Sequence, residues 1–230
     1  AMAWAPWIGG LAVIGIIYGA LGCLAQSDMK RLIAFSSVAH MGYVMLGIAT
    51  LTDFGINAAV FGMVAHGLIT GMLFFVAGSI KDRFHTLELS RLGGLLVQSP
   101  RMGWILGFCA MASLGLPGLA GFWGEFPAIL AAYNPADGLS EELFRVYMVV
   151  AAVGTVFAAG YLLWMFQRAA FGTPTEEFAD VEIPGMRWPE YVAWTPMLIL
   201  IVVLGIFPNL LFGLTTDAVD TALTAFGGGS

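Results

Sequence analysis

A chain of 230 residues that is 59% hydrophobic and only 10% charged does not read as a water-soluble globule, in which roughly one residue in four is charged, but as an integral membrane protein. Its formal net charge of −6 sits in short connections between apolar runs, so it is loop charge and excludes a basic nucleic-acid surface. The two cysteines, Cys23 and Cys109, stand far apart in apolar runs without CxxC spacing, and read as packed thiols rather than a disulfide or a metal site.

Residues Ala1 to Trp7 contain no methionine at position 1 and no basic n-region, so they are no signal peptide, and the chain reads as one cut from a longer protein. Crossing a bilayer takes about 20 helical residues. Apolar runs of that order occur at Trp7 to Ala25, Leu32 to Leu51, Ile56 to Ile80, Met102 to Tyr133, Val146 to Phe166 and Val192 to Leu214. The expectation is a single all-α membrane domain over residues 1–230 with six transmembrane helices, its Asp217 to Ser230 end reading as a natural short tail or a truncation scar. The fourth run is too long for one straight helix. It contains Leu114-Gly115-Leu116-Pro117-Gly118-Leu119-Ala120-Gly121, which predicts a discontinuous helix broken near 114–121 with Gly115, Pro117, Gly118 and Gly121 as its hinge.

Lys30, Arg31, Lys81, Arg83, Arg91, Arg101, Arg168 and Arg187 lie in alternate connections, and Arg145 is the one basic residue on the other side. The positive-inside tendency makes the first side cytoplasmic, with both chain ends on the non-cytoplasmic face. The Lys81 to Arg101 connection mixes leucines with charges and suits a loop or short helix at the interface or under a partner subunit. The Phe171 to Tyr191 connection carries turn chemistry and no apolar period. His85 reads as a surface residue, and the pairs Gly67/Gly71 and Gly154/Ala158 as close helix packing.

Inside the spans, ionisable residues are scarce, and a charge at membrane depth is by default a sign of ion or proton passage. Glu125 is the acidic residue well within a span, just after the predicted break. His40 and His66 lie about ten residues into the second and third spans, at comparable depth. Ser36, His40 and Tyr43 follow i, i+4, i+7 spacing on one helical face, and Thr70 lies one turn from His66. Imidazole accepts a proton on one nitrogen and releases it from the other. A carboxylate can load and unload as nearby charge changes, and hydroxyls with ordered water bridge the gaps. The set Glu125, His66 and His40, supported by Ser36, Tyr43 and Thr70, therefore points to proton relay. The bland alternative is hydrogen-bonded packing histidines in a structural membrane spacer.

The run Ala25-Gln26-Ser27-Asp28-Met29-Lys30-Arg31-Leu32-Ile33-Ala34-Phe35-Ser36-Ser37-Val38-Ala39-His40-Met41-Gly42-Tyr43, then Ala65-His66-Gly67-Leu68, then Gly115-Leu116-Pro117-Gly118 and Gly121-Phe122-Trp123-Gly124-Glu125-Phe126, resembles the antiporter-like membrane subunits of respiratory complex I, NADH:quinone oxidoreductase. The glutamate in Gly-Glu-Phe favours the subunit M (mitochondrial subunit 4) type, since sister subunits usually carry lysine there. The resemblance is to the C-terminal portion, spans 9 to 14, the second half of an inverted-repeat fold. It implies proton translocation coupled to quinone reduction elsewhere, in a bacterial cytoplasmic or inner mitochondrial membrane. It further implies no cofactor or metal in this chain, with NADH, flavin, iron–sulfur clusters and quinone on other subunits, and neighbouring membrane subunits and lipid as partners. A subunit of a multisubunit cation/proton antiporter or of a membrane-bound hydrogenase is the alternative within the same superfamily.

Overall fold

The computed structural model describes residues 1–225, and these form nine helices. They are α1 (Ala5–Leu24), α2 (Met29–Ala49), α3 (Asp53–Phe84), α4 (Leu95–Gln98), α5 (Pro100–Ser113), α6 (Ala120–Ala131), α7 (Glu141–Ala170), α8 (Trp188–Ile206) and α9 (Asn209–Ala225). Helices start where the sequence offers partners for their orphan N–H groups. The Asp28 carboxylate accepts from the Arg31 N–H at 2.9 Å, Thr52 Oγ1 from Gly55 at 3.0 Å and Ser140 Oγ from Leu143 at 3.4 Å. Helices α1, α5 and α8 instead carry proline in the first turn, where no N–H is required.

Five helices, α1, α2, α3, α7 and α8, are long and apolar enough to cross a membrane. The run from Met102 to Tyr133, expected as the fourth of six spans and as a broken one, is divided between α5 and α6, of 14 and 12 residues, each shorter than a bilayer crossing requires. Between them Gly115 and Gly118 adopt φ of +69° and +91°, a left-handed backbone that glycine enters without steric cost, and Pro117 between them cannot donate to a helix. The interruption covers residues 114–119, so Gly121 is not in the hinge but in the first turn of α6.

Three other expectations are corrected. The run from Val192 to Leu214 is not one helix: α8 stops at Ile206 and α9 starts at Asn209. Pro208 has no N–H and pushes the preceding Phe207 out of helical geometry, to φ −120° and ψ 65°. Asp217 does not open a tail, because α9 runs on to Ala225 and packs on α3, with Phe212 against Phe61 at a ring separation of 4.9 Å and Thr215 donating to Asn57 at 2.7 Å. Finally, the leucines after α3 are not left for a partner. Leu87, Leu89, Leu92 and Leu95 are buried in this chain's own core, and the segment is fastened by Met29 N–H to Leu87 C=O and Leu89 N–H to Ser27 C=O, at 2.9 and 2.8 Å.

Helix α2 lies between α1 and α3, and α6 nests against α2, α3 and α8. Its approach to α3 is close: a Cβ on Gly124 would stand 2.4 Å from the Gly62 Cα. Gly154 is similarly tight against Ile16, but Gly67 faces open space, so its expected packing role is not what the fold uses. Outward faces of α1 and α7 expose Trp7, Leu11, Ile14, Val149 and Val156, an apolar exterior of the kind a bilayer solvates.

Candidate functional site

The α3–α6 contact brings the second turn of α6 against the middle of α2, and there Glu125 meets His40. Oε1 of Glu125 hydrogen-bonds Nδ1 of His40, with side-chain exposures of 15% and 5%. The other carboxylate oxygen faces the interruption, where a Cβ on Gly115 would stand 3.3 Å from Oε2. On the far side of the imidazole, Nε2 lies 3.1 Å from Ser113 Oγ, at the end of α5, and 3.4 Å from the Tyr161 hydroxyl on α7. Tyr161 continues to Ser36 Oγ at 2.9 Å. Four helices therefore converge on one imidazole. With Glu125 ionised, Nδ1–H donates to it and Nε2 accepts from a hydroxyl; with His40 protonated, Nε2–H donates to the same hydroxyls.

His66 stands beside this cluster without bonding to it. Its ring centre is 5.7 Å from that of His40, its Nε2 is 3.1 Å from Ser37 Oγ on α2, and its Nδ1 is 3.2 Å from Thr70 Oγ1 one turn along α3. A cavity of about 20 Å³ is lined by His40, His66, Ser113 and Glu125 among others, room for about one water with several polar partners. His66 is half-buried, while His40, Ser36, Ser113 and Thr70 are buried.

The residues singled out from the sequence thus divide. Glu125, His40 and Ser36 join one hydrogen-bonded cluster; His66 and Thr70 form a second beside it. Tyr43 lines the cavity, but its hydroxyl donates to the Ala151 carbonyl on α7 at 3.1 Å. Gly115, Pro117 and Gly118 lie in the interruption next to the carboxylate, and His85 is exposed at the end of α3. Ser113 and Tyr161 are not legible from the sequence, since Ser113 is an isolated hydroxyl in an apolar run and Tyr161 shares its run with Tyr147 and Thr155; the proximity of Ser113 to the glycine–proline break was the one available signal. Among the described residues no group of three histidine, cysteine or acidic side chains is arranged to hold a metal ion.

A second ionic cluster is formed by residues that, along the sequence, are ordinary loop charges. Arg83, at the end of α3, grips Glu190 in the first turn of α8 bidentately at 2.9 and 2.8 Å and donates to the carbonyls of Ser79, Pro184 and Gly185. Both side chains are nearly buried, at 4% and 10% exposed. This pair ties α8 and the preceding connection to α3.

Residues 1–165 match the family described as "NADH:quinone oxidoreductase/Mrp antiporter, TM". The chain is 38% identical over 209 residues to NADH-quinone oxidoreductase subunit M of Rhodobacter capsulatus, covering 91% of this chain and 39% of that protein. It is 39% identical over 222 residues to NAD(P)H-quinone oxidoreductase chain 4 1 of Synechococcus elongatus, covering 96% and 40%. It therefore spans about two-fifths of the length of these curated relatives. Among solved structures, a chain of respiratory complex I from Thermus thermophilus with bound NADH superposes with a TM-score of 0.84 at 27% identity, over 96% of this chain and 45% of that one. A chain of the Mrp complex from Dietzia sp. shares the fold, with a TM-score of 0.80 at 21% identity over 94% of this chain and 47% of that one.

Proposed function

The chain belongs to the NADH:quinone oxidoreductase/Mrp antiporter membrane family, and from that premise we propose that it is the second half of a subunit M-type protein, moving protons through its buried polar cluster. The observation that carries this reading is the Glu125–His40 pair, closed off by Ser113 and Tyr161 and adjoining the interruption between α5 and α6. Those two helices are two halves of a sixth, discontinuous crossing. A carboxylate and an imidazole held at membrane depth are costly, and their placement in an enclosed, hydroxyl-lined site is what a relay needs.

The chemistry is proton transfer, in which one O–H or N–H bond breaks as the next forms and no other covalent bond changes. A proton on the Glu125 carboxyl passes along the hydrogen bond to Nδ1 of a neutral His40, and the Nε2–H of the imidazolium so formed is held by the Ser113 and Tyr161 hydroxyl oxygens until a proton leaves the ring for the cavity. Exchange with His66 runs through the cavity, whose room for about one water spans the gap between the rings. His66, with Ser37 and Thr70, is the next station. Coupling to quinone reduction, and the sites for NADH, flavin, iron–sulfur clusters and quinone, belong to other subunits. The basic connections face the cytoplasm, and the termini the other side. Sequence identity of 34–44% to proteins named for NADH- or NAD(P)H-quinone oxidoreductase supports complex I over the antiporter assemblies, whose quoted structural relative supports the fold alone.

The test is Glu125→Gln in the assembled complex. It keeps the shape and removes the transferable proton, so protons moved per NADH oxidised should fall while assembly is retained. Unchanged stoichiometry would overturn the relay.

A further inference from the structure

A different part of the molecule carries a binding site. Helices α5 and α8 both pack on α3 but leave between them a groove of about 540 Å³, walled by Trp104, Ile105 and Phe108 on α5 and by Leu198, Ile199, Val202 and Val203 on α8. Its walls are wholly apolar side chains. Its upper end is not. Arg101 stands three residues before Trp104 and four before Ile105, hence on the same face of α5, and Tyr191 stands seven before Leu198 on α8. The two meet above the groove, Arg101 donating to the Tyr191 hydroxyl at 2.7 Å. Arg101 is exposed, and among the described residues no carboxylate lies within salt-bridge distance of it. Its remaining guanidinium N–H groups and the Tyr191 O–H are therefore free to donate to one oxygen-rich anion. Trp104 and Trp188, exposed by 67% and 76%, flank this end as tryptophans do at the level of lipid headgroups.

We infer that the groove between α5 and α8 seats an anionic phospholipid, with its phosphate on Arg101 and Tyr191 and the upper part of one acyl chain along Trp104, Phe108, Leu198 and Val202. The argument for lipid over a protein segment is charge complementarity at one end joined to an unbroken apolar wall below. An extended polypeptide laid in that groove would find no partners for its N–H and C=O groups along the wall, and an apolar helix, which needs none, would leave Arg101 without an anion.

The test places a photoreactive residue, Ile199→p-benzoylphenylalanine, in the assembled complex reconstituted in bilayers of phosphatidylglycerol mixed with phosphatidylcholine. Mass spectrometry then identifies the species captured on illumination. The expected product is a phospholipid adduct in which phosphatidylglycerol exceeds its bulk share by about fivefold, the effect of one interfacial cation on an anionic lipid. Arg101→Gln should abolish that excess, and Arg101→Lys should retain part of it. Capture of a peptide from another segment or subunit, equal capture of both lipids, or an excess that survives Arg101→Gln would each overturn the assignment.

Discussion

Gly124→Ala should damage the site more than its chemistry suggests. The added Cβ would stand 2.4 Å from the Gly62 Cα, whereas ordinary carbon contacts begin near 3.4 Å, so α6 and α3 must separate locally by about 1 Å, at an overpacking cost of about 1–3 kcal/mol. Glu125 is the next residue, and the same displacement acts on its hydrogen bond to His40; a shift of about 1 Å in a reacting pair can cost about a hundredfold in rate. Two companion variants calibrate the effect. Gly62→Ala meets Val44 at 3.1 Å and the Gly124 Cα at 3.4 Å and should be milder; Gly67→Ala meets nothing within 4 Å and should be neutral or stabilising, by up to about 1 kcal/mol from helix propensity. The assays are thermal melting of the purified complex and protons moved per NADH oxidised. The expected order of damage is Gly124→Ala, then Gly62→Ala, then Gly67→Ala. Wild-type melting and pumping in Gly124→Ala, or damage from Gly67→Ala, would refute the close-approach argument.

Arg83→Ala leaves the buried Glu190 without its bidentate partner, and should cost about 3–5 kcal/mol, seen as a lower melting temperature and faster proteolysis of the connection before α8; Arg91→Ala, whose partner Glu177 is exposed, should leave both unchanged. Tyr161→Phe removes a hydroxyl shared by Ser36 and His40 and should destabilise by about 1 kcal/mol while slowing proton movement; adding Ser113→Ala should slow it further, because Nε2 of His40 then loses both partners. Cys23 and Cys109 are fully buried, so neither should react with a maleimide in the folded complex and both should after denaturation in detergent.

The candidate site was legible residue by residue but not as a network. Glu125, His40 and His66 stand out because an ionisable group in an apolar run is expensive wherever the helix points. Spacing along one helix also paired His66 with Thr70, since i, i+4 neighbours share a face. It put Tyr43 on the face that lines the cavity without showing that its hydroxyl turns to the Ala151 carbonyl, and missed Ser113 and Tyr161. A hydroxyl is cheap enough in a membrane helix to carry no signal of its own, and its role depends on what faces it.

Hydrophobicity and glycine–proline punctuation are local properties, so the chain by itself determined that this protein is helical and membrane-embedded. It also determined where the run from Met102 is interrupted: Gly115, Pro117 and Gly118 fall within four residues, whereas the lone Pro127 and Pro196 are carried inside α6 and α8. Pro208, which ends α8, is an equally local signal. Only the tertiary structure decided which helix lies against which, because that choice rests on contacts between residues distant in sequence. The bare backbones of Gly62 and Gly124 let α3 and α6 touch, the imidazole on α2 receives the carboxylate from α6, and Arg83 finds Glu190 more than a hundred positions away. Each of these ionisable side chains alone would be an unsatisfied polar group in a largely apolar surrounding, and the fold is the arrangement in which the partners meet.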